Sequence, residues 1–90
     1  MNYSIQIIPH RDFTKDLRKQ TAKVKDRAKD RLYIFCHNPF NPILYNHALT
    51  GRWKGHRSIN ITGDIRAIYK QIDETAVVFV ALGSHSELYR

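Results

Sequence analysis

Ninety residues, 42% of them hydrophobic, supply one modest core and exclude a second domain. Fifteen Lys and Arg against eight Asp and Glu leave a formal charge of +7, which speeds encounter with polyanions and points to nucleic acid or an acidic protein as partner. Cys36 stands alone and forms no internal disulfide, and neither an apolar leader nor a run near about 18 apolar residues is present, so secretion and membrane insertion are not indicated and a bacterial-type cytoplasm is expected.

Tyr3, Ile5 and Ile7 alternate with Ser4 and Gln6, the pattern of a first strand ended by Pro9. From His10 to about His37 the spacing changes to three and four. Phe13, Leu17, Val24, Ala28, Leu32 and Phe35 fall on one side, which predicts a helical hairpin broken at Gln20-Thr21, with Asp12 and Asp16 capping or complementing the dipole of the first helix. The segment carries nine basic against four acidic residues, and two readings of that face stand side by side: a solvated surface laced with i,i+4 pairs, or a phosphate-tracking one. Pro39 and Pro42 end the second helix, because proline disfavours helical geometry in the residue before it. A loop then runs to about Arg52.

Ser58 to Thr62, Ile65 to Ile72 and Thr75 to Leu82, separated by Gly63-Asp64 and Asp73-Glu74, read as a three-stranded antiparallel meander. The last strand is an unbroken apolar run and belongs inside the sheet, with the N-terminal strand alongside an edge. The expected fold is α+β, one domain over 1–90: an N-terminal strand, a two-helix hairpin, then the meander with the helices packed on one face. Ile59 and Ile61 then point to the helices, while Ser58, Asn60 and Thr62 point away. On the next strand Arg66 and Lys70 are the cheaper residues to expose, which gives an open basic face carrying Arg57 or its neighbours, Asn60, Arg66 and Lys70, beside a tail with His85 and Tyr89.

Such groups suit metal-independent RNA cleavage. A base removes the 2′-hydroxyl proton, the oxygen attacks the adjacent phosphate, an acid protonates the leaving 5′-oxygen, and cations stabilise the developing charge. Histidine suits both transfers because its ordinary pKa lies near neutral pH. His10 and His37 flank the helices as bystanders. No pair of ligands has the close spacing of a zinc site, so neither metal nor cofactor is expected.

The stretch from His47 through Leu49, Gly51, Trp53, Gly55 and Arg57 to Asp64 and Tyr69 resembles the H-x-L-x-G-x-W-x-G-x-R and D-x-x-x-x-Y signature of YafQ-type toxins of the RelE/ParE superfamily. The closing Gly83-Ser84-His85-Ser86-Glu87-Leu88-Tyr89 is similar to that family's G-[ST]-H-x-x-L-[FY]. The resemblance implies a RelE-like fold and the toxin of a type II toxin-antitoxin system: a ribosome-dependent mRNA endoribonuclease that cuts message in the decoding site and is neutralised by a cognate antitoxin. It places His47, Asp64 and His85 at active-site positions, His85 as general acid, with Tyr89 stacking on or orienting a base. It gives Arg57 and Arg66 phosphate-binding roles, and Lys54 and His56 complete the RNA-contacting set. The chain departs from the family at Asn60, where a histidine is expected on the second strand. His56 is a substitute on the same face but about 13 Å away along an extended strand, so the general base stays open. Trp53 and Gly51 are expected to shape the loop, Tyr69 to join the core, and Asp64 equally suits a turn. Two other readings of the fold are a ParE-like gyrase inhibitor and a non-catalytic protein that binds ribosome or antitoxin.

Overall fold

A computed structural model describes residues 4–89 as three helices and a five-stranded sheet. Strand β1 spans Gln6–Pro9, so proline closes it as the sequence suggests, while Tyr3 lies outside the described residues. Helix α1 (Arg11–Arg18) begins at His10, whose ring accepts the Asp12 backbone N–H; the bystander histidine is an N-cap. Thr21 caps α2 (Ala22–His37) by accepting from the Val24 N–H at 3.2 Å, which fixes the break between the helices. On α2, Arg31 pairs with its neighbour Asp30 rather than with an acid one turn away.

After α2 the chain makes a short 3-10 turn at Pro42–Leu44, then strand β2 (His47–Ala48) and a second turn at Gly51–Trp53. The meander follows as β3 (Arg57–Asn60), β4 (Ile65–Gln71) and β5 (Ala76–Ser84), and the chain closes with α3 (His85–Leu88). The sheet order is β1-β5-β4-β3-β2, with β1 parallel to β5 and every other pair antiparallel. The region up to Arg52, expected as a loop, thus contributes a two-residue edge strand. At the β4–β5 turn the Thr75 N–H and hydroxyl bond to Asp73 and hold its carboxyl below the ordinary aspartate range.

The main core lies between the sheet and α1 and α2. Phe13, Ala28 and Phe35 from the helices meet Ile59, Ala67, Tyr69, Val77 and Phe79 from the strands and Ile61 just past β3. Phe35 stacks edge-on against Tyr69 at 4.9 Å and Phe79 at 5.3 Å between ring centroids, an arrangement that adds about 0.5–1.5 kcal/mol per pair to simple burial. The other face is not open. Leu49, Ile68, Ala81 and Leu88 form a second cluster there, with Trp53 and Val80 packed against it. β5 contributes to it through an irregularity. Tyr69 pairs with Phe79 and Ile68 with Ala81, which leaves Val80 as an extra residue. Such a bulge sends two successive side chains to one face, so β5 feeds both cores and its apolar run needs no alternation.

Candidate active site

Arg66 sits at the middle of a rung that runs Asn60, Arg66, Gly83 across β3, β4 and β5. Its Nε donates to Asn60 Oδ1 at 3.3 Å, and Gly83 on its other side presents no side chain. The next rung pairs Ile65 with Ser84. Asp64 and His85 are each one step beyond that pair on neighbouring antiparallel strands, so Asp64, Arg66 and His85 lie at the same end of the sheet, with the Arg66 backbone about 7 Å along its strand from that of Asp64. Asp64 is exposed at the tip of the hairpin. Thr62 Oγ1 accepts from the Asp64 and Ile65 N–H groups at 3.2 and 2.9 Å, so the turn has its own side-chain lock.

The tail does not run on as an extended end. Beginning at His85, α3 folds back across the sheet face that carries Ile68 and Ala81 and buries Leu88 beside them. Residues four apart on a helix share a side, and the His85 and Tyr89 rings lie stacked with centroids 4.5 Å apart and planes at 29°. Both residues are exposed.

Paired residues share a face, so the rung through His47, Ser58, Ile68 and Ala81 places His47 on the same face as Asn60 and Arg66. It is two strands and two residues from Arg66, a backbone separation of about 12 Å. Its Nδ1 lies 2.9 Å from the Tyr45 carbonyl. A carbonyl only accepts, so in the neutral ring that contact assigns the proton to Nδ1 and leaves the lone pair on Nε2.

Two members of the expected set lie elsewhere. Arg57 pairs with Tyr69, whose side chain is in the main core, and so points to the face opposite Arg66. There its Nε donates to Asn46 Oδ1 at 2.8 Å, and its guanidinium lies 5.3 Å from the Phe40 ring centroid. His56 precedes β3, in a turn reached through Gly55 at φ 88°, so it is not a strand residue in phase with Asn60. Its ring meets Trp53 at 5.4 Å and its Nδ1 faces the Lys54 carbonyl. Lys54 is exposed on the same turn. Among the described residues, no group of three or more His, Cys, Asp or Glu is placed to hold a metal, and no helix is long and apolar enough to cross a membrane.

Sequence reasoning missed Asn46 and Glu87. Asn46 spends its whole amide, donating to the Pro39 carbonyl and the Tyr69 hydroxyl, each at 2.8 Å, and accepting from Arg57. No local pattern announces that network. Glu87 did leave a signal, since Ser84-x-x-Glu87 is the spacing of a capping box and marks the start of α3.

The profile of the family described as bacterial toxin of type II toxin-antitoxin system, YafQ, matches residues 5–90. A Haemophilus influenzae protein that carries the YafQ name is 36% identical over 93 residues, covering 97% of this chain and 88% of that one. The crystal structure of YafQ from E. coli strain BL21(DE3) superimposes with a TM-score of 0.80 at 22% identity, covering 96% of this chain and 99% of that one. The toxin in the E. coli DinJ-YafQ toxin-antitoxin complex gives 0.78 at 22% identity, over 98% and 100% of the two chains. With a profile match over almost its full length, the chain belongs to the YafQ family of bacterial toxins of type II toxin-antitoxin systems.

Proposed function

We propose that this toxin is an mRNA endoribonuclease that acts in the decoding site of the ribosome, in the cytoplasm, by metal-independent acid–base chemistry. The observation that supports the reading is that Arg66, on the rung with Gly83, and Asp64 and His85, each one residue past the Ile65–Ser84 pair, lie at one end of the sheet. In the proposed reaction His47 Nε2 takes the 2′-hydroxyl proton and the 2′-oxygen attacks the adjacent phosphorus. The bond from phosphorus to the 5′-oxygen breaks, and His85 gives that oxygen its proton, leaving a 2′,3′-cyclic phosphate and a 5′-hydroxyl. Arg66 balances charge on the phosphoryl oxygens, Asp64 orients the cationic groups around it, and Tyr89 stacks on or orients a base. Asn60 transfers no proton in this scheme and serves to aim Arg66. Lys54 and His56 meet the flanking RNA backbone, whereas Arg57, turned to the other face, holds the Phe40 loop.

Primer extension on an in vitro translation reaction tests the assignment. Wild-type protein should give discrete truncations of the message, and His85→Ala should lower their yield by about 10²–10⁴-fold, the usual contribution of a proton-transfer group. Intact message with wild-type protein, or growth arrest undiminished by His85→Ala, rejects it. E. coli YafQ is solved with the antitoxin DinJ. By analogy, and with the +7 charge in view, this chain is proposed to bind a cognate antitoxin through an acidic or amphipathic segment that orders on binding. Co-expression with the neighbouring reading frame should restore growth and yield a copurifying complex.

A further inference from the structure

The helix that carries His85 cannot hold its own shape. It has four residues and ends on a bond from the Tyr89 N–H to the His85 carbonyl at 3.0 Å, whereas isolated helices shorter than about 12–15 residues are marginal in water. Its orientation therefore comes from its cap on the end of β5 and from side chains packed against it. At its start, Ser84 Oγ accepts from the Glu87 N–H at 3.2 Å and Glu87 Oε1 accepts from the Ser84 N–H at 2.8 Å. The carboxylate comes this close because Gly83 is bare: a Cβ there would stand 3.0 Å from Oε1. At its end, Trp53 Nε1 donates to the Leu88 carbonyl at 2.9 Å, one of the acceptors that a helix terminus leaves unsatisfied. Beneath, Leu88 is 6% exposed against Ile68 and Ala81.

We propose that Glu87 and Trp53 are positioning residues: they clamp the two ends of this single turn and so hold the stacked His85 and Tyr89 rings at the Arg66 end of the sheet. The inference rests on the ribonuclease reading above. Leu88 sets the depth of the turn, but apolar contact is non-directional and does not by itself fix the rotation of the turn about that side chain. The two clamps, on opposite ends and from different parts of the chain, remove that rotation. Glu87 acts through the backbone of Ser84 and Trp53 through the backbone of Leu88, and a displacement near 1 Å in such a group costs up to about 100-fold in rate.

The experiment uses the full chain and measures single-turnover cleavage of ribosome-bound message together with the NMR shift of the His85 ring protons, which the Tyr89 ring displaces from their free value. Glu87→Ala and Trp53→Phe should each slow cleavage by about 10- to 100-fold without changing the ribosome concentration for half-saturation, and should move the His85 resonances toward those of a free imidazole. Glu87→Gln keeps an acceptor for the Ser84 N–H and should recover the rate to within about threefold. Wild-type rate and resonance in either variant removes that residue from the clamp. Glu87→Gln as slow as Glu87→Ala shows that charge and not geometry matters, and overturns the proposal. If the wild-type chain leaves message intact, the cleavage reading fails by itself, and the His85 resonance alone decides the clamp.

Discussion

Ser58 keeps a hydroxyl at 1% exposure with no hydrogen-bond partner. A buried polar group left in that state costs about 1–3 kcal/mol, so Ser58→Ala should raise the free energy of unfolding by about 1 kcal/mol. A fall in the denaturant midpoint for that variant would contradict the prediction. Alternation along β3 places Ser58 on the face away from the helices, and it is there, but alternation cannot tell an open face from a covered one. Leu49, Trp53 and Leu88 close over that part of the sheet from segments far apart in sequence. The same limit explains Arg57 and His56. Motif spacing groups both with Arg66, but side-chain parity along β3 turns Arg57 to the helices, and Gly55 takes His56 out of the strand. The placement of His85, Asp64 and Arg66 at one end of the sheet was legible because they sit at a hairpin and a strand end, where antiparallel pairing leaves little freedom.

Among the elements, α1 adds a long-range hydrogen bond to the packing of Phe13. Asp16 Oδ2 accepts from the Leu82 N–H at 3.1 Å, 66 residues away in sequence, beyond the reach of β1, whose pairing with β5 stops at Phe79. Asp16→Ala should therefore leave the Leu82 donor unsatisfied and cost about 1–3 kcal/mol, and amide exchange at Leu82 should quicken more than at Val77. Equal protection at the two amides would show that the carboxylate is not the anchor. Sequence placed Asp16 at the helix dipole because only local partners can be read from local spacing. The helical hairpin itself was plain, since a 16-residue helix shows its period several times over. The two residues of β2 show no period at all.

Taken whole, the molecule is a basic scaffold with two unequal cores. The main one is shared by the helices and four strands, and the smaller one fastens the C-terminal turn to the sheet. Basic charge is spread over α1, α2 and the turn at Lys54, not gathered on one open concave face. Ribosome affinity should accordingly fall steeply and smoothly with salt, as expected when many cations displace counterions. Filter binding between about 50 and 200 mM salt is the measurement, and a flat profile would argue against polyanion recognition. The core was predictable from composition and periodicity; the division into two was not, because Leu49, Trp53 and Leu88 cover the second face from outside the sheet and the extra residue Val80 lies in an apolar run where every position looks alike.

Trp53 is the only tryptophan in the chain, and its indole N–H is bonded to the last carbonyl of the turn that bears His85. The protein therefore carries a built-in optical reporter at the one place where it is informative. Ultraviolet emission from this fluorophore will register any ligand or partner that lifts the C-terminal turn, with no label attached.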